Sequence, residues 1–167
     1  MRILARSSWL LDAVRGGVGG LVGTLLMDLV TTGLLEGQSA ESKRQEDAAR
    51  PNGKSSVANL VDRIDAQYGL KLDDRQLAAA AQVVHFGLGV VPGAAYGVLR
   101  RRVPLLGAGR GLLYGLALWA VNDEYLNTTF GLAGPVEAYP PEAHWRGLVG
   151  HVVLGAATDT VIDAFAN

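Results

Sequence analysis

Small or polar residues recur at every fourth position through four apolar stretches of this chain, and the same stripes carry its ionisable residues at apolar depth. The stripes read Gly16, Gly20, Thr24, Asp28 and Thr32; His85, Gly89, Gly93 and Gly97; Gly107, Gly111, Gly115, Trp119 and Asp123; and Gly147, His151, Gly155, Asp159 and Asp163. A spacing of four keeps residues near one face of a helix. Glycine removes the side chain, so two helix backbones can approach closely in lipid. Ionisable groups avoid lipid and turn inward. The expected fold is therefore all-α, an integral membrane four-helix bundle packed through glycine stripes with a polar interior.

The composition supports that expectation. At 167 residues and 17.6 kDa the chain fits one domain, and 49% of it is hydrophobic with a mean hydropathy of +0.20. A soluble chain of this size has little core in which to hide such long apolar runs. A net charge of −1 gives no overall basicity for nucleic acid. Cysteine is absent, which excludes disulfides, thiolate catalysis and Cys-ligated metals. The N-terminus, with Arg2, Arg6 and Arg15, lacks a small-residue cleavage site and is not read as a signal peptide.

The spans are expected at about 13–35, 77–99, 103–122 and 145–163, in a single domain covering 1–167. The second span is the clearest by length, and Pro92 marks a candidate kink in it. Between the first two spans lies a polar loop, 36–76. Its first part, Ser39 to Ser56, reads as flexible and charged. Its second part has Val57, Leu60, Val61, Ile64 and Tyr68 at helical spacing, so an interfacial amphipathic helix is expected. Gly69 should end that helix and Asp73 or Asp74 should cap the next. The loop from Gly131 to Ala143, with Gly134-Pro135 and Pro140-Pro141, should be non-helical.

Orientation follows the positive residues. Arg100, Arg101 and Arg102 place the turn between spans two and three in the cytoplasm, and both termini with it. The acidic loop after span three, with Asp123, Glu124, Glu137 and Glu142, then faces outward, where Tyr125, Tyr139 and Trp145 would form an aromatic belt. The first loop, also outside, carries seven Lys or Arg against eight acidic residues, which sits awkwardly with the rule.

At about 1.5 Å per residue, Asp28, His85 and His151 fall at one level, roughly 5 Å outward of the mid-plane. Asp123 and Glu124 lie above them. Arg110 and Asp159 fall in the inner half and are read as an inner ion pair. Three readings of the Asp28, His85 and His151 cluster stand. The histidines glue the bundle. Or the cluster takes up and releases protons, because imidazole titrates near neutrality. Or His85 and His151 hold a divalent metal or the iron of a haem, with Asp28 completing an iron-type set. No spacing signature supports the last reading, and a protein without cofactor is the first expectation. His144 is read as a surface residue. No P-loop, GxSxG or HExxH motif is present, so enzyme activity is not expected.

The order of motifs resembles the YagU-like family of bacterial inner-membrane proteins of unknown function. The matching residues are His85-Phe86-Gly87, Gly93 and Tyr96-Gly97; then Gly111, Gly115, Trp119 and Asp123-Glu124-Tyr125; then Gly131-Leu132 with Pro140-Pro141; and last His151. The resemblance covers roughly Leu77 to Gly155. It implies a small multi-pass inner-membrane protein with His85, Glu124 and His151 as its polar positions, and it carries no activity. The functional expectation is proton sensing or relay by the outer cluster, of the kind an acid-stress protein needs. The alternatives are a bis-His cofactor protein and a structural or assembly subunit. The partners expected are the lipid bilayer and a second copy or a complex subunit, the latter touching the glycine faces or the Val57–Tyr68 helix.

Overall fold

The computed structural model describes residues 9–165, so Arg2 and Arg6 lie outside the described residues. Every regular element among them is helical. In chain order they are α1 (Trp9–Glu36), α2 (Ala40–Ala49), a 3-10 turn (Pro51–Gly53), α3 (Ser56–Tyr68), α4 (Asp74–Leu99), α5 (Pro104–Gly107), α6 (Leu112–Leu118), a π-helical stretch (Trp119–Leu126), α7 (Asn127–Thr129), a second 3-10 turn (Val136–Ala138) inside the loop expected to be non-helical, and α8 (Pro141–Ala164). Two of them, α1 and α4, are long and apolar enough to cross a membrane.

α1 is the spine, packed along α4 on one side and α8 on the other. Its run Gly16-Gly17-Val18-Gly19-Gly20 supplies two bare faces. A Cβ on Gly93 of α4 would stand 2.6 Å from the Gly16 carbonyl oxygen and 2.9 Å from the Gly20 Cα, and one on Gly20 would collide with the Gly89 backbone. The opposite face meets α8, where a Cβ on Gly19 would stand 2.7 Å from the Thr158 carbonyl oxygen and one on Gly23 2.7 Å from that of Leu154. The period-four stripe Gly16, Gly20 and Thr24 thus faces α4, and a second stripe of Gly19 and Gly23, unread in the sequence, faces α8. On the far side of α8, Gly155 presses against Gly111 and Gly115, so α6 completes the group.

Side chains sort accordingly. The few buried apolar ones include Tyr96, Leu154 and Ile162, whereas Thr24, Asp12, His151, Thr158 and Asp159 are buried too. Large apolar side chains point outward, with Leu29, Val83 and Val91 each about 70% exposed.

The third stretch departs from expectation. It is not one helix over 103–122: positive φ angles at Gly109, Arg110 and Gly111 break it before α6. A Cβ on Gly111 would strike the Gly155 backbone, so glycine is needed there for approach as well as for φ. The helix then runs past Asn122 as eight π-helical residues, a form frequent at functional sites. Pro92 does not end α4, which continues to Leu99.

The polar loop also differs. Residues 40–49 form α2, where a flexible stretch was expected. The Ser39 side chain caps it by accepting from the Ser42 N–H at 3.1 Å. α3 follows the expected periodicity, and Gly69 ends it at φ 61. Asp73 and Gln76 cap α4 reciprocally, each accepting a backbone N–H at 2.9 Å. α2 and α3 fold over one end of the helices and join the 130–146 segment. Asn59 donates to the Leu132 carbonyl at 3.0 Å, and Arg63 donates to that of Phe130 at 2.7 Å. At the opposite end, Arg101 lies 3.5 Å from Asp12, and Arg100 grips Asp159 and Asp163.

Candidate functional site

Where α2 and α3 cover the bundle, the helices part around two adjoining cavities of about 390 and 410 Å³. Both are lined by Met27, Ser56, His85, Asp123 and Asn127. The first is the more polar of the two and reaches Glu46 and Arg50 at α2. The second descends between α4 and the π-helical stretch to Pro92 and Leu118. One turn along α4 from Pro92 and along α6 from Leu118, Tyr96 and Tyr114 stack with ring centroids 4.4 Å apart.

Each of the three histidines meets a carboxylate from another element. His85 Nε2 on α4 lies 2.9 Å from Asp28 Oδ1 on α1. His151 Nδ1 on α8 lies 2.9 Å from the Gly147 carbonyl oxygen and 3.5 Å from Asp123 Oδ2 on the π-helical stretch. His144 Nδ1 lies 2.8 Å from Glu124 Oε1, and its Nε2 lies 3.1 Å from the Val136 carbonyl oxygen.

These contacts constrain protons. A carbonyl oxygen only accepts, so His151 Nδ1 and His144 Nε2 each carry hydrogen. His144 Nδ1 then either donates to ionised Glu124 or accepts from its carboxylic acid. In both cases the His144–Glu124 pair holds one proton more than a neutral ring beside a free carboxylate.

α2 supplies the rest of the wall through Glu46. This side chain is about 5% exposed, and its Oε1 accepts from Arg50 Nη2 at 2.5 Å and from Arg146 Nη2 at 2.6 Å. Arg146 also donates to Gln38 Oε1 at 2.8 Å. Burial opposes ionisation of Glu46, but the hydrogen bonds and charges of Arg146 and Arg50 outweigh it and hold the carboxyl below its ordinary pKa.

The sequence-expected residues are only partly brought together. Asp28, His85 and His151 do not form one triad: Asp28 serves His85, and Asp123 serves His151. Glu124 reaches the cavity through His144, which is therefore no isolated surface residue. The Arg110–Asp159 pair is not formed. Arg110 sits exposed at the bend before α6 with φ 51. Asp159 instead accepts from Arg100 Nη1 at 2.6 Å and from the Tyr96 hydroxyl at 2.5 Å. The bend breaks the helix that was expected to carry Arg110 alongside α8.

For a metal or haem, the donors do not converge. His85 Nε2 and His151 Nδ1 are already taken by Asp28 and Gly147, and among the described residues no group of three or more His, Cys, Asp or Glu gathers in a metal-holding arrangement.

His144, Glu46 and Arg146 were not legible as site residues. Ser39 before the helix-forming run Ala40–Ala49 was a usable signal for α2. No spacing in the sequence joins Glu124 to His144 across the intervening loop.

No curated protein and no solved structure matches this chain. One family model does, over residues 57–160, from α3 well into α8; the chain therefore belongs to the DUF1440 family of proteins of unknown function.

Proposed function

We propose that this protein is a YagU-like, multi-pass inner-membrane protein whose outer cavity takes up protons through its histidine–carboxylate pairs and tightens in acid. The observation that carries the reading is His144, whose two ring nitrogens face Glu124 and the Val136 carbonyl. That arrangement needs an extra proton. Loss of the proton leaves the ring nitrogen and the carboxylate both as acceptors, and the link between the π-helical stretch and α8 opens. His144 and Glu124 remain 27% and 23% exposed, so protons can reach them. His85–Asp28 and His151–Asp123 extend the chain of titratable groups inward.

Membrane insertion of four segments is supported by the outward apolar side chains and the glycine contacts, with α1, α4, α6 plus the π-helical stretch, and α8 as the crossings. The helices touch through backbone, and their apolar surface faces away, as lipid requires. Three of the seven positive charges of the first loop are met locally: Arg44 pairs with Glu41, Arg50 with Glu46 and Asp47, and Lys54 with Asp62. Arg100–Arg102 and both ends of the chain then lie in the cytoplasm. Because the chain has no cysteine, Asn52→Cys and Arg102→Cys test this directly. An impermeant thiol reagent added to intact cells should label the first and spare the second.

Trp119 lines the polar cavity and reports on it. In a Trp9→Phe, Trp145→Phe background, Trp119 fluorescence should change between pH 5 and 8, and His144→Gln should remove most of the change. A flat profile in the parent variant would overturn the proton reading.

A further inference from the structure

We infer that the cavity between α4 and the π-helical stretch binds an amphiphilic amine, with its ammonium head at Asp123 and His151 and its apolar body between Leu88, Pro92, Leu118 and Leu154. The volume of about 410 Å³ lies in the range of small-molecule sites, which pair apolar walls with a few placed polar groups. Here Leu88, Pro92, Leu118 and Leu154 supply apolar wall, and Asp123 and His151 are among the few polar groups lining the same cavity.

The head-group chemistry follows from hydrogen positions. His151 is 6% exposed and donates from Nδ1 to the Gly147 carbonyl. In the neutral ring its Nε2 is therefore an acceptor, and no described group donates to it. Asp123 Oδ1 accepts from Asn122 at 2.9 Å, while Oδ2 has only the His151 Nδ1 contact at 3.5 Å, too long for a good hydrogen bond. Two under-used acceptors thus line the cavity. An ammonium head, which donates several hydrogen bonds and whose charge favours the ionised form of the Asp123 carboxyl, satisfies both, whereas a carboxylate has no hydrogen to donate.

The test uses the full chain in detergent micelles at pH 8 and three probes of one shape: 1-adamantylammonium, 1-adamantanol and 1-adamantanecarboxylate. Calorimetric titration should give saturable binding of the ammonium at least tenfold tighter than the alcohol, and none of the carboxylate. Asp123→Asn should erase the preference for the ammonium, and Leu118→Trp, which fills the space, should abolish binding of both. Far-ultraviolet circular dichroism establishes that each variant is folded, and binding to the unaltered protein decides the matter by itself. Equal binding of ammonium and carboxylate, no saturable ammonium binding, or full binding to folded Leu118→Trp would each overturn the inference. None of these outcomes depends on histidine titration, so the proton reading stands or falls separately.

Discussion

The two ends of this molecule are held together by different physics. At the end where α1 begins and α8 finishes, α1 lies against α4 and α8 with glycine between them. A Cβ on Gly97 or Gly16 would collide with the opposing backbone. Contact there is dry and close, and the ionic groups act as clamps at its edge, with Arg100 across Asp159 and Asp163. At the other end the same helices diverge, α2 and α3 lie across the gap, and the closure depends on side chains reaching between elements: Glu46 to Arg146, His144 to Glu124, His151 to Asp123. Across the glycine contacts of one end a Cβ would meet backbone, and the other end holds the two adjoining cavities. Such a division suits a rigid half that fixes helix positions and a polar half whose contacts can change with protonation.

Substitution should separate the halves. The largest effect belongs to Gly93→Leu. Packed cores lose roughly 1–3 kcal/mol to overpacking and occasionally more, and here backbone, which cannot move aside, is what the new side chain meets. We expect loss of the folded state in thermal unfolding. Gly87→Leu on the same helix, with nothing within 4 Å of its Cβ position, should unfold within a degree or two of the parent. Equal damage from both would erase the contrast.

Next comes Glu46→Ala, which strands Arg146 beside a buried space. Removing one partner of a buried pair costs about 3–5 kcal/mol, and because Arg146 is still 14% exposed we expect the lower figure. Its pH dependence has a definite sign. The folded-state pKa of Glu46 lies below the usual glutamate value near 4.5. Its ionic contribution is therefore complete above that value and fades as pH falls through the lowered one. The stability gap between parent and Glu46→Gln should be constant from pH 8 to about 5 and shrink below 4. A gap that widens in acid would contradict the assignment.

His144→Gln should cost about 1.5 kcal/mol, the scale of a hydrogen bond to a charged group, read as a lowered denaturant midpoint. The smallest effect is at Glu41, whose pairing with Arg44 is well exposed. Glu41→Ala should change stability by less than about 0.5 kcal/mol, measurable as an unmoved denaturant midpoint.

How much of this the sequence reveals divides along the same line. The period-four glycines are local signals, so they locate the helices of the tight half and one of its contact faces. The second face of α1 was hidden because Gly19 and Gly23 interleave with the first stripe. α3, its Gly69 stop and the Asp73 cap were equally legible, since caps and amphipathic periods are read within a few residues. The break at Gly109–Gly111 was not, because glycine serves both as a helix-packing residue and as a turn residue, and only contact with Gly155 decides between them. That ambiguity produced the mistaken Arg110–Asp159 pair. At the open end the depth argument placed His85, Asp28 and His151 in one layer, but depth carries no azimuth, and azimuth determines which carboxylate each ring meets. His144 and Glu46 depend on loops folding back over the helices, which no periodicity encodes.

The most direct test of the account is the protonation state of His144, read by nitrogen-15 NMR of the histidine-labelled full-length protein from pH 5 to 8, with His144→Gln assigning the signal. The expected result at the low end is a ring with both nitrogens protonated, or one hydrogen-bonded to a Glu124 acid, with Trp119 fluorescence changing across the same range. A His144 that stays a single neutral tautomer from pH 5 to 8, beside an ionised Glu124, would contradict it.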